Sequence, residues 1–76
     1  MIEFKNKDGK YHRIDGPAVE YTNGNKHWYI NGIRNRIDGP AVEYADGHKS
    51  WYILGYFFNK KPTFKDMIMV IISERY

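Results

Sequence analysis

The chain has 76 residues, of which 2 are Trp, 7 Tyr and 4 Phe, and 12 basic against 9 acidic side chains give a net charge of +3. This length suits one domain, and the aromatic content is too high for a disordered chain. The chain has no cysteine, which excludes a disulfide framework and a thiolate metal site. The small positive charge is far from the polybasic composition of a dedicated nucleic-acid-binding protein.

No segment has the composition of a signal or a membrane span. Residues 1–5 lack the apolar core of a secretory signal, and the longest apolar run, residues 67–72, has six residues. A membrane-spanning helix needs about twenty. We therefore expect a soluble, cytoplasmic protein with no transmembrane segment.

An internal repeat with a period of 23 residues organises most of the chain. Residues 13–33 align with residues 36–56 at 15 identical positions of 21. The shared frame reads R-I-D-G-P-A-V-E-Y, then a turn, then K-x-W-Y-I, and Asp8-Gly9 lies one period before Asn31-Gly32. A unit this short cannot bury an apolar face alone. Two full copies, and a partial copy in front of them, are therefore expected to share one sheet.

The segments between the glycines have the length and composition of short strands. Glycine recurs every seven or eight residues, and four glycines follow Asn or Asp, in dipeptides that tolerate positive φ at both central residues of a hairpin turn. We expect positive φ at Gly24 and Gly47 in tight hairpin turns. Residues 10–14 and 33–37 are more polar, and we expect edge-like strands or extended links there. In each Asp-Gly-Pro bend we expect the Asp to bond local backbone N–H groups. The predicted strands cover residues 17–21, 26–30, 40–44 and 49–53.

Strand alternation predicts one apolar and one more polar face. It places Val19 and Tyr21 on one face with Ala18 and Glu20 on the other, and it sets Trp28 and Ile30 opposite His27 and Tyr29.

A different element is predicted after Gly55. Thr63 is a suitable N-cap, and Asp66 falls at the third helical position, where a carboxylate favours the free N–H groups. A β-strand over residues 67–72 is the alternative, because isoleucine and valine are β-branched. The spacing of the apolar residues predicts an amphipathic capping helix over residues 63–75 that covers one end of the sheet with Phe64, Met67, Ile68, Ile71 and Ile72.

The predicted fold is mainly β: a single domain over residues 1–76, with an antiparallel β-meander of hairpin repeats in residues 8–56 and one C-terminal α-helix. The unit resembles MORN-type repeats, and most closely their divergent bacterial and phage relatives, although Asp-Gly-Pro replaces the His-Gly dipeptide of the usual consensus. The resemblance implies a non-enzymatic binding or assembly scaffold. It is carried by Gly16-Pro17-Ala18-Val19-Glu20-Tyr21, Asn23-Gly24, Lys26, Trp28-Tyr29 and Asn31-Gly32, echoed from Gly39 to Gly55.

Nothing in the sequence indicates a catalytic residue, a metal ligand or a cofactor. Three histidines lack the spacing of a zinc site, and we expect them at the surface. The carboxylates that recur in both copies could form the acid–base pairs of a hydrolase. However, a catalytic group is needed once per site, whereas a structural group is needed once per repeat unit. We therefore expect turn contacts from Asp15 and Asp38, and cross-strand pairs of Glu20 and Glu43 with Lys26 and Lys49.

The predicted function is a protein–protein interaction module, a small accessory or inhibitor protein that occludes a macromolecular partner. The alternative is binding of nucleic acid or an anionic surface through basic and aromatic residues. If the tyrosines and tryptophans have no binding role, the tryptophans belong to the core and the tyrosines are half-buried strand residues. Phe57 and Phe58 either join the interface or anchor the helix. The candidate partner-binding residues are those of an Arg- and Tyr-rich interface, namely Arg34, Arg36, Tyr29, Tyr52, Tyr56, Lys26 and Lys49.

A second kind of contact is expected at the N-terminal edge. The sheet must end in an edge strand near residues 2–5, where unpaired backbone groups can receive another strand. We therefore expect a weak homodimer or an edge-mediated contact with a partner.

Overall fold

A computed structural model describes residues 1–74 as antiparallel strands followed by one C-terminal α-helix, which confirms the predicted fold class. β1, β2, β3, β6, β7 and β8 form a sheet in that order, and β4 and β5 form a separate hairpin. The elements are β1 (Ile2–Glu3), β2 (Val19–Glu20), β3 (Lys26–His27), β4 (Tyr29–Ile30), β5 (Ile33–Arg34), β6 (Val42–Glu43), β7 (Lys49–Ile53), β8 (Tyr56–Phe58) and α1 (Phe64–Glu74).

The two repeat copies share the sheet in matching registers. Val19 lies opposite His27 in the first copy, and Val42 lies opposite Ser50 in the second. β3 then pairs with β6, which sets His27 opposite Val42 and joins the copies. Repetition of one hairpin therefore builds the sheet, as the 23-residue period predicts.

Most strands are shorter than predicted, although residues 49–53 form the continuous β7. The predicted strand over 26–30 is interrupted at Trp28, and those over 17–21 and 40–44 keep two residues each because the chain still bends at Ala18 and Ala41. Ala18 and Val19 are both fully buried. Burial at the start of β2 therefore includes two adjacent residues rather than alternate ones.

Two kinds of turn join the strands. Asn31-Gly32 has positive φ at both residues, 49° and 82°, as predicted. In the turn closed by Gly24 the glycine alone is left-handed, with φ 97°, and its N–H donates to the Tyr21 carbonyl at 3.0 Å. A three-residue loop of this kind needs one left-handed residue. The predicted positive φ of Gly24 and Gly47, 97° and 95°, is therefore confirmed, although the residue before each glycine does not share it.

An arginine closes each Asp-Gly-Pro bend. Arg36 donates to Asp38 Oδ1 and to the Pro40 carbonyl, both at 3.1 Å. Its guanidinium carbon lies 4.0 Å from the centroid of the Trp28 ring. A Cβ on Gly39 would lie 2.8 Å from that carbon, so a side chain there would displace the Arg36 guanidinium. We call this arrangement the arginine clasp; it replaces the predicted bonds from the Asp to local backbone N–H groups.

The first copy has the same clasp. Arg13 donates to Asp15 and to the Pro17 carbonyl, and its guanidinium lies 4.2 Å from the centroid of the Phe4 ring. Phe4 thus takes the place of a repeat tryptophan in the partial N-terminal copy. The repeated aspartates therefore have the same structural contact in both copies.

Glu43 also differs from its predicted role. Its carboxylate pairs with Arg36 at 2.8 Å. Lys49 lies directly opposite Glu43 in the sheet, as expected, but in the described part of the chain the ion pair of Glu43 is with the clasp arginine. The predicted cross-strand positions of Glu43 opposite Lys49 and of Glu20 opposite Lys26 are therefore confirmed, while the ion pair of Glu43 is with Arg36.

The helix begins as the sequence predicts. Asp66 N–H donates to Thr63 Oγ1 at 3.1 Å, and Thr63 N–H donates to Asp66 Oδ2 at 2.9 Å, which is a reciprocal capping box. The β alternative for residues 67–72 is wrong. Residue 75, the predicted helix end, lies outside the described residues. Within residues 1–74, no helix combines the length and the apolar content that crossing a membrane requires.

The apolar stripe of α1 does not pack as predicted. Val70 is the buried residue of the described helix, at 6% exposure, whereas Phe64 and Ile71 are 78% and 54% exposed. The helix runs beside Ile37 and Ile53 of the second copy, around a cavity of about 220 Å³. Phe64, Met67, Ile68 and Ile71 line this cavity, so the predicted stripe faces the sheet. Its complete burial there is wrong, because most of these side chains stay exposed.

The expected N-terminal edge is partly closed. β1 is an outer strand of the sheet, as predicted. However, Phe4 N–H donates to the Ala18 carbonyl while the Phe4 carbonyl accepts from His12 N–H, and Lys5 bridges to Tyr11. The prediction that all of residues 2–5 form an unpaired edge is therefore wrong, because Phe4 and Lys5 pair with residues 11–12 of the same chain.

Candidate interaction face

Strand alternation separates the functional candidates onto two sides of the sheet. On β7, Trp51 and Ile53 point toward α1 and line cavities beside Met67. Tyr52 therefore points to the opposite side. We call that side the aromatic face, and it consists of Tyr11, Tyr21, His27, Tyr29, Arg34, Tyr44, Tyr52 and Phe57.

A continuous row of side chains crosses this face. The Tyr11 and Tyr29 ring centroids lie 5.3 Å apart, and those of Tyr52 and Phe57 lie 5.5 Å apart. Arg34 joins the two pairs, because its guanidinium carbon lies 5.5 Å from the Tyr29 centroid and 5.4 Å from the Tyr52 centroid. The row therefore has a cation at its centre and aromatic rings on both sides.

The repeat period explains the order of the row. Tyr29 and Tyr52 are one period apart, and so are Tyr11, Arg34 and Phe57. Each hairpin then sets two members side by side, since Tyr29 lies opposite Arg34 and Tyr52 lies opposite Phe57. At the central position of the second series the repeat carries arginine where its neighbours carry an aromatic residue.

Arg34 lacks the partners that the clasp arginines have. Both Arg13 and Arg36 bind an aspartate and a backbone carbonyl. In the described part of the chain no carboxylate pairs with Arg34, and its Nε is buried with no hydrogen-bond partner. An unsatisfied buried donor costs about 1–3 kcal/mol. The face therefore holds a cation that the fold does not neutralise.

His27 supports Arg34 from one side. Its Nδ1 lies 3.4 Å from an Nη of Arg34, and because a guanidinium can only donate, Nδ1 must accept there. Burial lowers the pKa of His27, and the charge of Arg34 lowers it further. The edges of Tyr21 and Tyr44 meet the imidazole at centroid distances of 5.2 and 6.4 Å. His27 is thus a neutral, half-buried member of the face rather than the surface residue that was predicted.

The acidic group on this side of the sheet is already engaged. Tyr11 OH donates to Glu3 at 2.6 Å, and this hydrogen bond raises the pKa of Tyr11. Lys5 lies 3.9 Å from the same carboxylate. Glu3 therefore belongs to the N-terminal end of the row and leaves the central arginine without an anion.

The structure brings together three of the predicted partner-binding residues, Tyr29, Arg34 and Tyr52. Arg36 instead holds its clasp, and Tyr56 lies opposite Ile53 in β8, on the side of α1. The cross-strand pairs of Lys26 with Glu20 and of Lys49 with Glu43 also lie on the side opposite the tyrosine row. The predicted set is thus divided between the two sides of the sheet.

Sequence reasoning missed Tyr11 as a member of the row and left Phe57 open between the interface and an anchor for the helix. A break in the repeat was predicted after Gly55, but Tyr56–Phe58 is β8 and continues the hairpin pattern of β5. The signal was available, because positions 11, 34 and 57 are spaced by the repeat period. Extending the period by one strand in each direction would have found both residues.

The structure offers no group of three His, Cys, Asp or Glu side chains arranged to hold a metal ion, within the residues it describes. The face itself consists of aromatic groups with Arg34 at its centre, and Lys5, beside Glu3, lies 5.5 Å from the Tyr11 ring centroid at its end. Such an arrangement can stack on planar groups, pack against apolar side chains and bind an anion.

Comparisons of the chain with protein-family models, with curated proteins and with solved structures found no match.

Proposed function

We propose that this chain is a non-enzymatic, cytoplasmic protein-interaction module that binds a protein partner through its aromatic face. It acts as a small accessory or inhibitor protein that occludes the surface it covers. The observation that carries the proposal is Arg34, held between Tyr29 and Tyr52 without an acidic partner. Arginine and tyrosine are the residues that most often dominate the centre of a protein interface.

The surroundings of Arg34 support the same role. Phe57 is 58% exposed, and Tyr21 and Tyr44 are 39% and 40% exposed. Large aromatic side chains left in water at neighbouring positions are typical of a contact surface. The resemblance of the repeat to MORN-type units, which serve as binding scaffolds, adds support.

Photo-cross-linking tests the proposal. A benzophenone amino acid is placed at Phe57 of the full chain, and the matched control carries it at Phe64, which is 78% exposed on α1. In a lysate of the source cells we expect a discrete adduct from position 57 that protease removes, nuclease leaves intact, and excess unlabelled chain competes away. Equal adducts from both positions, or an adduct that nuclease removes, would contradict a protein-binding aromatic face.

A further inference from the structure

We propose that Arg34, which lies between the rings of Tyr29 and Tyr52, binds the carboxylate of a Glu or Asp side chain from the partner protein. The inference rests on the proposed function and specifies its chemistry. Its starting point is the contrast among three arginines of one chain, since Arg13 and Arg36 have aspartates of their own and Arg34 has none within residues 1–74.

The repeat does not require a cation at this position. The residues one period before and after Arg34 are Tyr11 and Phe57, and both hairpins form with an aromatic side chain there. Arginine at the central hairpin therefore adds a positive charge that the sheet does not need. A charge retained in a half-buried setting without a structural partner points to a ligand of opposite sign.

The surroundings favour a carboxylate on an apolar segment. The Tyr29 and Tyr52 rings flank the planar Arg34 guanidinium, whose shape matches the two oxygens of a carboxylate. His27 cannot serve as the counter-ion, because its Nδ1 accepts from Arg34 as a neutral ring. The rims of the site are the rings of Tyr52 and Phe57, which suit apolar neighbours of the acidic residue.

A nucleic-acid backbone fits this site less well. Phosphate binding requires a row of cations along the groove. Lys26 and Lys49 face the other side of the sheet, and Lys5 lies beside Glu3 at the end of the row. One central arginine matches one acidic side chain.

NMR of the uniformly ¹⁵N-labelled full chain tests the inference. The probes are acetyl-Leu-Glu-Leu-amide and its Gln counterpart at constant ionic strength, and the reporter is the Nε–H signal of Arg34. The Nε–H signals of Arg13 and Arg36 are internal controls, because their guanidinium groups are already bound to aspartate. We expect a saturable shift of the Arg34 signal with the Glu peptide, and binding about tenfold tighter than that of the Gln peptide.

The variant Arg34→Met supplies the second control. It keeps an unbranched side chain between the rings, and the backbone amides of Tyr29 and Tyr52 then report binding. We expect these amides to lose their response to the Glu peptide. Equal shifts from the Glu and Gln peptides, or equal movement of all three arginine signals, would overturn the inference.

A dodecamer of thymidine is the remaining probe. If it moves the Arg34 signal at lower concentration than the Glu peptide, the site binds phosphate and the carboxylate inference is wrong. A protease-sensitive adduct at position 57 without Glu-peptide binding would leave the proposed function standing and remove this inference. Glu-peptide binding without any adduct at position 57 would support the carboxylate site and contradict the proposed function.

Discussion

Leu54 holds a backbone conformation that leucine disfavours. Its φ of 50° lies in the left-handed region, where its repeat counterpart Asn31 has a φ of 49°. Asparagine adopts this region more readily than leucine. We therefore expect Leu54→Asn to raise the free energy of unfolding by about 0.5–1 kcal/mol, as measured by urea denaturation.

The reverse substitution is the control for this prediction. Asn31→Leu places leucine in the same two-residue turn of the first copy, and we expect it to lower the free energy of unfolding by about 1 kcal/mol. A loss of stability in Leu54→Asn would mean that the contribution of Leu54 to the apolar cavity beside α1 outweighs its backbone strain.

His27 makes stability depend on pH. Burial and then Arg34 lower its pKa below the unfolded value of about 6.5, so the unfolded chain binds more protons in mildly acidic solution. Stability is therefore complete above pH 6.5 and falls as the pH drops toward the folded pKa, by up to about 1.4 kcal/mol per pH unit. Tyrosine and arginine, the residue types that face the imidazole, keep one charge state between pH 5 and 7.

We expect His27→Gln to flatten this dependence in urea denaturation between pH 7 and pH 5. His48→Gln is the control for the loss of an imidazole outside the aromatic face, because the His48 side chain is 81% exposed. The pKa of Asp46, lowered mainly by hydrogen bonding from His48, lies below 3.8, outside this pH range. An unchanged slope in His27→Gln would contradict the assignment.

At the scale of elements, the packing of α1 yields a prediction that separates two interpretations of the helix. Val70→Ala shortens the side chain by two carbon atoms at a position that is 6% exposed. It should lower the free energy of unfolding by about 1.5–2 kcal/mol. Ile71→Ala, in the predicted stripe but 54% exposed, should stay within about 0.5 kcal/mol of the parent chain. A larger loss for Ile71→Ala would restore the stripe as the packing surface.

The sequence predicted where elements lie better than how they face one another. The capping box at Thr63 and Asp66 is local chemistry, so the helix start followed directly from the sequence. Helical periodicity shows that one side is apolar, but the side that packs depends on the direction of the chain after β8. The predicted strand lengths were wrong for a similar reason. Arg13 closes the bend before Val19 through contacts that the alternation pattern of a strand does not encode.

At the scale of the whole molecule, the repeat predicts the aromatic face only in part. Tyr29, Arg34 and Tyr52 were found from composition and period. The clasp role of Arg36 was not, because its partners are an aspartate, a carbonyl and a ring brought together by the folded chain. Alternation alone puts Lys49 on the side opposite Tyr52, so the sequence already argued against a shared surface for lysines and tyrosines.

We expect the stability of the fold to depend on Arg36 and not on Arg34. The free energies of unfolding of Arg36→Met and Arg34→Met, measured side by side in urea, test this most directly. Arg36→Met breaks the clasp and the contact with Glu43, and should lose about 2 kcal/mol. Arg34→Met loses its contacts with two tyrosine rings but also removes an unsatisfied buried donor, so its stability should stay within about 1 kcal/mol of the parent chain. If Arg34→Met is destabilised as much as Arg36→Met, Arg34 is a structural residue and the account of the aromatic face is contradicted.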